Sequence, residues 1–256
     1  MSVVLEERSQ ARELARGGRL VVRLATTPRE VEAAQRLRWQ VFAEEMGARL
    51  GGERRGIDQD LFDRFCAHLI VEDAPSGEIV GTYRVLFPDQ ARAAGGLYIE
   101  SEFFTDRLRP LRGGLVELGR SCVRRDHRTG GAIMLLWSGL AELLSASSCT
   151  HLVGCASVPL TDEGGYAASL WRRLWAGHAA PEALRVFPKR RLATERLALD
   201  AAVDVVVPPL LKGYLRAGGL LLGEPHVDVE FGCADLPVML ELGRLTTRYS
   251  RRFVRG

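Results

Sequence analysis

Residues 115 to 144 restrict the fold more than any other stretch of the chain. From 115 to 123, apolar side chains at 116, 118 and 123 surround Glu117, Arg120 and Ser121. That pattern reads as a buried strand with polar cargo. An arginine-rich turn with Gly130 and Gly131 follows, and then an apolar run of helical length from 132 to 144. A strand, a basic glycine-containing turn and a helix leave free backbone N–H groups at the helix start, where an anion can bind. Arg128, Gly130 and Gly131 would cradle a phosphate-bearing substrate, with Glu117 as a candidate base on the strand beside it. The competing reading is an ordinary strand–turn–helix whose arginines are solvated.

Such a unit needs a sheet to sit in, and 256 residues suffice for one large domain or two small ones. A chain that is 46% apolar and 26% charged is expected to be soluble and globular. The net charge of +3 gives no reason to expect nucleic-acid binding. Arginine is clustered, however, at 107, 109 and 112, at 124, 125 and 128, at 172 and 173, and at 190 and 191 beside Lys189. Local basic patches suit an acidic protein partner or an anionic membrane surface, unless they are simply solvated.

Cys66, Cys122, Cys149, Cys155 and Cys233 form neither a C-x-x-C pair nor a Cys/His ligand set, which points to a reducing cytoplasm. The histidines are scattered without ligand spacing, so no metal is expected. Residues 1 to 20 mix Glu and Arg and lack the apolar core of a signal peptide. No run reaches the ~20 apolar residues of a membrane span, so membrane contact would be peripheral.

Along the chain, residues 1 to 19 read as a polar lead-in, helical or frayed, and 20 to 256 as one α/β domain without linker or repeat. Thr27, Pro28 and Glu30 mark a helix start; Val31, Ala34, Leu37, Val41 and Phe42 give that helix its buried stripe to about residue 46. The loop from 47 to 65 carries Asp58, Asp60 and Asp63, without the glycine and terminal glutamate of a calcium loop. Residues 68 to 72 and 78 to 86 form a hairpin, 151 to 157 a strand, and 164 to 175 a helix. Residues 181 to 192 read as strand or loop. Pro208 and Pro209 open another helix, 220 to 222 and 227 to 233 are late strands, and 236 to 243 is expected to be a short helical tail.

Arg38 with Phe42, then Asp58 and Asp60, then Arg84, then Glu117 with Arg120, occur in an order similar to the acyl-homoserine-lactone synthases, which use the GNAT acyltransferase fold. Longer strings resemble the bacterial L-ornithine Nα-acyltransferases: ELGRSCV at 117 to 123, LLW at 135 to 137, GCAS at 154 to 157 and KGYLR at 212 to 216. The resemblance spans residues 20 to 253. It implies an α/β GNAT fold, a mixed central sheet flanked by helices. It also implies acyl transfer from the phosphopantetheine thioester of acyl carrier protein to ornithine, giving lyso-ornithine lipid, with no bound cofactor. The GNAT turn is Arg/Gln-x-x-Gly-x-Gly/Ala, whereas Ile133 fills its last position here. A bulky residue there would crowd the pyrophosphate of coenzyme A, and a carrier-protein arm lacks that nucleotide.

Within that resemblance the catalytic candidates are Glu117, Arg120 and Ser121. Glu117 would deprotonate the amine, or else be only an ion-pair partner of Arg120 or Arg84. Backbone N–H groups around Ser121, Cys122 and Val123 would hold the oxyanion beside the pantetheine, and Arg128, Gly130 and Gly131 its phosphate. Cys122 is expected to pack rather than attack. Asp58 and Asp60, with Asp63, would receive the side-chain ammonium of ornithine, or form a solvated acidic loop. Arg38 and Arg84 would bind the substrate carboxylate, or pair with those same acids. Phe42 would line the substrate region or the core. The rivals are acylation of another amino acid such as glycine, acyl-homoserine-lactone synthesis, and a non-catalytic carrier-protein- or acyl-binding module.

Overall fold

The computed structural model describes residues 12–51, 54–128, 131–160, 162–196 and 206–243. Glu13–Gly17 (β1) and Leu20–Leu24 (β2) pair through a tight turn at Gly18, whose φ is 59°. The expected lead-in therefore already contains a strand, because Leu14 and Ala15 pack against the main core. Pro28–Trp39 (α1) starts at a capping box, in which the Glu30 N–H donates to Thr27 Oγ1 at 3.3 Å and the Thr27 N–H to Glu30 Oε2 at 3.0 Å. Gln40–Glu45 continues the helix as a π turn. Ala67–Asp73 (β3) and Glu78–Leu86 (β4) make the expected hairpin. Pro88–Ala94 (α2), the 3-10 turn Tyr98–Ser101, Phe103–Phe104 (β5) and the 3-10 segment Asp106–Gly114 form an excursion before Leu115–Val123 (β6).

Gly131–Ser145 (α3) and His151–Pro159 (β7) follow as the sequence leads one to expect. Gly165–His178 (α4), Phe187–Pro188 (β8), Pro209–Arg216 (α5), Leu220–Leu221 (β9), His226–Asp228 (β10) and Cys233–Glu241 (β11) complete the described chain. The expected helical tail is instead β11. Its run from 236 to 240 is buried throughout and pairs with β7 along its whole length, and an apolar run flanked on both edges is satisfied as a central strand. Pro237 is tolerated because its carbonyl accepts from the Leu222 N–H, so its missing N–H faces the gap between β10 and β9 rather than β7.

Among the described residues the main sheet runs β1-β2-β3-β4-β6-β7-β11-β10, with β9 also on β11, and β5 pairs with β8 separately. Neighbours are antiparallel except β6 and β7. Helices α3, α4 and α5 bury one face in a core with Val85, Val116, Leu118 and Leu152. On the other face Leu86, Leu115, Val153 and Met239 pack under the excursion. Leu37, Val41 and Phe42 pack beside Cys122.

Two local features shape the centre. Parallel pairing of β6 with β7 stops at Leu118↔Gly154; beyond it β6 stays with β4 and β7 with β11, so the strands part. A Cβ on Gly154 would lie 2.6 Å from the Leu118 carbonyl oxygen, so only glycine allows this close approach at the branch. Past the branch, Arg84 pairs Gly119 and Thr82 pairs Cys122, leaving Arg120 and Ser121 opposite Tyr83 alone. This bulge holds Arg120 at φ 52° and turns β6 outward.

Candidate active site

A cleft of about 710 Å³ opens where β6 and β7 separate, and its wall includes Arg84, Glu117, Ser121, Cys155 and Asp235. Paired residues in adjacent strands share a face. Register therefore puts Arg84, Glu117, Cys155, Ser157 and Asp235 on the same side of the sheet.

Glu117 stands at the root of the opening. It is 5% exposed, and its Oε1 and Oε2 accept from the backbone N–H groups of Ile99 at 2.7 Å and Tyr98 at 2.6 Å. These belong to the start of the Tyr98–Ser101 turn, so the carboxylate is held by backbone rather than by an arginine. Burial pushes its carboxyl up to about 7, against the pull of the two N–H donors. A base poised there can take a proton near neutral pH.

The arginines expected to meet the substrate are turned towards acids instead. Arg38 is completely buried; it donates to Asp58 Oδ2 at 2.7 Å, to Asp63 Oδ1 at 2.8 Å and to the Asp58 carbonyl. Arg84 Nη1 donates to both oxygens of Asp60 at 2.7 Å. Arg120 lies 3.3 Å from Asp58 and 3.4 Å from Asp60, with its guanidinium 4.8 Å from the Tyr98 ring centre and 4.7 Å from that of Phe231. Burial opposes ionisation of Asp63, but Arg38 outweighs it and holds the carboxyl well below the usual carboxylate range. Three arginines and three aspartates thus close one neutral cluster.

Of the alternatives stated for these arginines, the structure shows the pairing with the same acids. Arg38 and Asp58 are buried against one another, and Asp60, its side chain 23% exposed, is held by Arg84; none of the three lines the cleft. Arg84 and Arg120 do reach the cleft. Phe42 lines it too, edge-on to Phe231 at 5.7 Å.

On the donor side, Ser121, Cys122 and Val123 line the cleft along the released edge of β6. Burial raises the Cys122 thiol to about 12, as befits packing rather than attack. Arg128 caps the strand, donating through Nε to the Val123 carbonyl at 2.8 Å and through Nη2 to Glu45 at 2.7 Å. Its charge is therefore partly spent before any phosphate arrives. Gly131 begins α3, Gly130 lies outside the described residues, and Ile133 lines the cleft.

The opposite wall holds residues that sequence reasoning missed. Glu102 and Asp235 are 6% and 3% exposed, and Asp228 sits beside them. Burial, then the neighbouring Asp235, pushes Glu102 up to about 9; burial lifts Asp235 to about 6 against a hydrogen bond from Ser157. Acids inside otherwise apolar runs, Glu102 beside Glu100 in 97–104 and Asp235 ahead of Glu241 in 233–242, are the available signal.

Residues 37–138 match the family described as acetyltransferase (GNAT) domain. An L-ornithine N(alpha)-acyltransferase of Brucella abortus is 36% identical over 252 residues, covering 92% of this chain and 89% of that protein. One of Agrobacterium fabrum is 36% identical over 273 residues, covering 97% and 91%. The chain belongs to the L-ornithine Nα-acyltransferase family. Among solved structures, the acyl-homoserine-lactone synthase LasI superposes with a TM-score of 0.52 at 15% identity, covering 88% of this chain and 91% of that one. FeeM, an N-acyl amino acid synthase from uncultured soil microbes, gives 0.50 at 14% identity, covering 88% and 93%. These two likenesses show the fold: a GNAT sheet whose parted central strands, in the family member here, are flanked by one balanced and one unbalanced charged wall.

Proposed function

We propose that this protein transfers a fatty acyl group, 3-hydroxylated in the expected donor, from acyl carrier protein to the α-amine of L-ornithine, giving lyso-ornithine lipid. The carrying observation is the opening between β6 and β7 with Glu117 at its root. The amine enters protonated and Glu117 takes its proton, directly or through one water. The neutral nitrogen then attacks the thioester carbonyl, the new C–N bond forms and the C–S bond breaks. The phosphopantetheine sulfur leaves as a thiol with the second proton that the nitrogen sheds. Backbone N–H groups in the segment Ser121 to Val123 that face away from β4 are the donors for the oxyanion. Arg120, fixed between two rings and ion-paired with Asp58 and Asp60, holds the shape of the same strand.

Supporting a carrier protein over coenzyme A, Ile133 fills the cleft wall at the first turn of α3, where a nucleotide pyrophosphate would lie. Arg125 is exposed in the turn just before it and suits an acidic partner. No described helix is long and apolar enough to cross a membrane. Release of a one-chain amphiphile nevertheless suits contact with the inner membrane surface from the cytoplasmic side.

The test is purified protein with 3-hydroxyacyl carrier protein and L-ornithine, read by mass spectrometry. N-acyl ornithine should form and should be lost in Glu117→Gln. An acylated product of another amino acid alone would overturn the acceptor, and no acylated amine from any amino acid would overturn the activity.

A further inference from the structure

We propose that Glu102 and Asp235, with Asp228 at their rim, form the receptor in the cleft wall that selects a second positive charge on the acceptor amino acid. This rests on the reading of the cleft as the acceptor site and names what makes that acceptor a basic amino acid.

All three carboxylates line the cleft, and among the described residues none of them has an ion-pair partner. Their partners are neutral groups. The Cys155 thiol reaches Glu102 Oε2 at 3.4 Å, and Glu102 Oε1 has no hydrogen bond among the described residues. The Ser157 hydroxyl donates to Asp235 Oδ1 at 2.6 Å, with the Cys233 thiol 3.7 Å from Oδ2. Asp228 Oδ1 accepts from the backbone N–H groups of Glu230 at 2.9 Å and Phe231 at 3.0 Å. Glu102 is thus more than nine-tenths buried and lines the cavity, and among the described residues no hydrogen bond reaches its Oε1.

Buried carboxylates without a cation are costly to ionise, and the cost is recovered when a cation enters. The nearby cations are already ion-paired: Arg38 and Arg84 with the aspartates at 58, 60 and 63, and Arg120, within electrostatic reach of Glu102 and Asp235, with Asp58 and Asp60. A primary ammonium carries three donors and can serve two carboxylates together.

Placement fits the reaction. Glu117 pairs with Val153 across the strands, and Cys155, which touches Glu102, lies two residues further along β7 on the same face. At about 3.3 Å per residue that is roughly 6–7 Å along the strand, which a three-methylene side chain spans. One amine can then reach Glu117 while the distal one meets Glu102 and Asp235. A metal ion is the other cation to weigh, because ligand atoms of Asp228, Cys233 and Asp235 lie within 4.8 Å of one another. Burial, however, keeps the Cys233 thiol protonated, and an ammonium needs only the carboxylates.

The test compares L-ornithine with L-norvaline, the same skeleton without the distal amine, in the wild-type protein and in Glu102→Gln and Asp235→Asn. The wild type should favour ornithine by about a hundredfold or more in kcat/KM. Either variant should cut that preference by about tenfold or more, chiefly through KM for ornithine. Equal losses on both acceptors would assign the acids a structural role and overturn the receptor. So would an unchanged preference in both variants, a wild type indifferent between the acceptors, or activity lost on chelation and restored by a divalent cation. If a variant fails to fold, the wild-type preference and the other variant still decide. A wild type that acylates neither acceptor overturns the acyltransferase reading itself, whereas one that prefers ornithine and keeps that preference in both variants overturns the receptor alone.

Discussion

The cleft has two charged walls built on opposite plans. On one side Arg38, Arg84 and Arg120 neutralise Asp58, Asp60 and Asp63 within hydrogen-bonded pairs. On the other, Glu102, Asp228 and Asp235 face the cavity with only thiols, a hydroxyl and backbone N–H groups. The first wall is scaffold: it fastens the 58–63 loop to α1 and β4, and its charges are used up in doing so. The second buries carboxyls with no cation paired to them among the described residues, so their ionisation is held back until a cation enters. Charge next to a cleft is therefore functional only where the protein has not already answered it.

The largest expected effect breaks the balanced wall. Arg38→Met leaves Asp58 and Asp63 buried with their main partner gone, and should cost about 3–5 kcal/mol, read as the shift of a denaturant midpoint. Glu102→Gln replaces a carboxyl that burial keeps protonated near neutral pH and should leave stability there unchanged. Equal destabilisation by both would dissolve the distinction between the walls.

Glu117, standing between them, should behave as chemistry rather than scaffold. Glu117→Gln keeps one of the two backbone N–H contacts on its carbonyl oxygen, its amide NH2 being unable to accept the other, and should lower kcat by about 10²–10⁴-fold. In the wild type, kcat/KM should rise with pH up to about 7, as the carboxyl ionises, and then level. A pH profile without that limb would remove Glu117 as the base.

A smaller effect separates the walls by sign. Asp63 titrates below the usual range, so its stabilisation is present above about pH 4 and is lost as pH falls. Asp235 and Glu102 titrate above the usual range, so their contribution is complete below about pH 4 and is lost as pH rises through about 6 and then about 9. Melting temperature followed from about pH 2 to 10 should show both limbs, and Glu102→Gln should flatten only the alkaline one. The smallest effect is Ser157→Ala, which removes a neutral donor from Asp235 and should cost about 1 kcal/mol in a thermal melt.

Much of this architecture is local and could be read from the chain. Thr27 and Glu30 form the expected capping box, residues 75 to 77 turn the expected hairpin, and β6, the basic turn and α3 follow one another as their patterning requires. Glu117 was conspicuous because a glutamate in a buried strand must find partners. Residues 236 to 243 were misjudged because a short apolar run fits a helix and a central strand equally well, and only the neighbouring β7 and β10 decide.

What the sequence determined by itself was the α/β order of elements, the central strand–turn–helix unit and the presence of polar groups in its strand, all set by periodicity and capping over a few residues. Tertiary structure decided which charges are spent and which remain. Arg38 meets Asp63, Arg84 meets Asp60, and Glu102 comes to lie across the cleft from them only because β6 and β7 part at Gly154 and β11 folds back beside β7. Charge compensation acts over a few ångströms of space, whatever the distance along the chain.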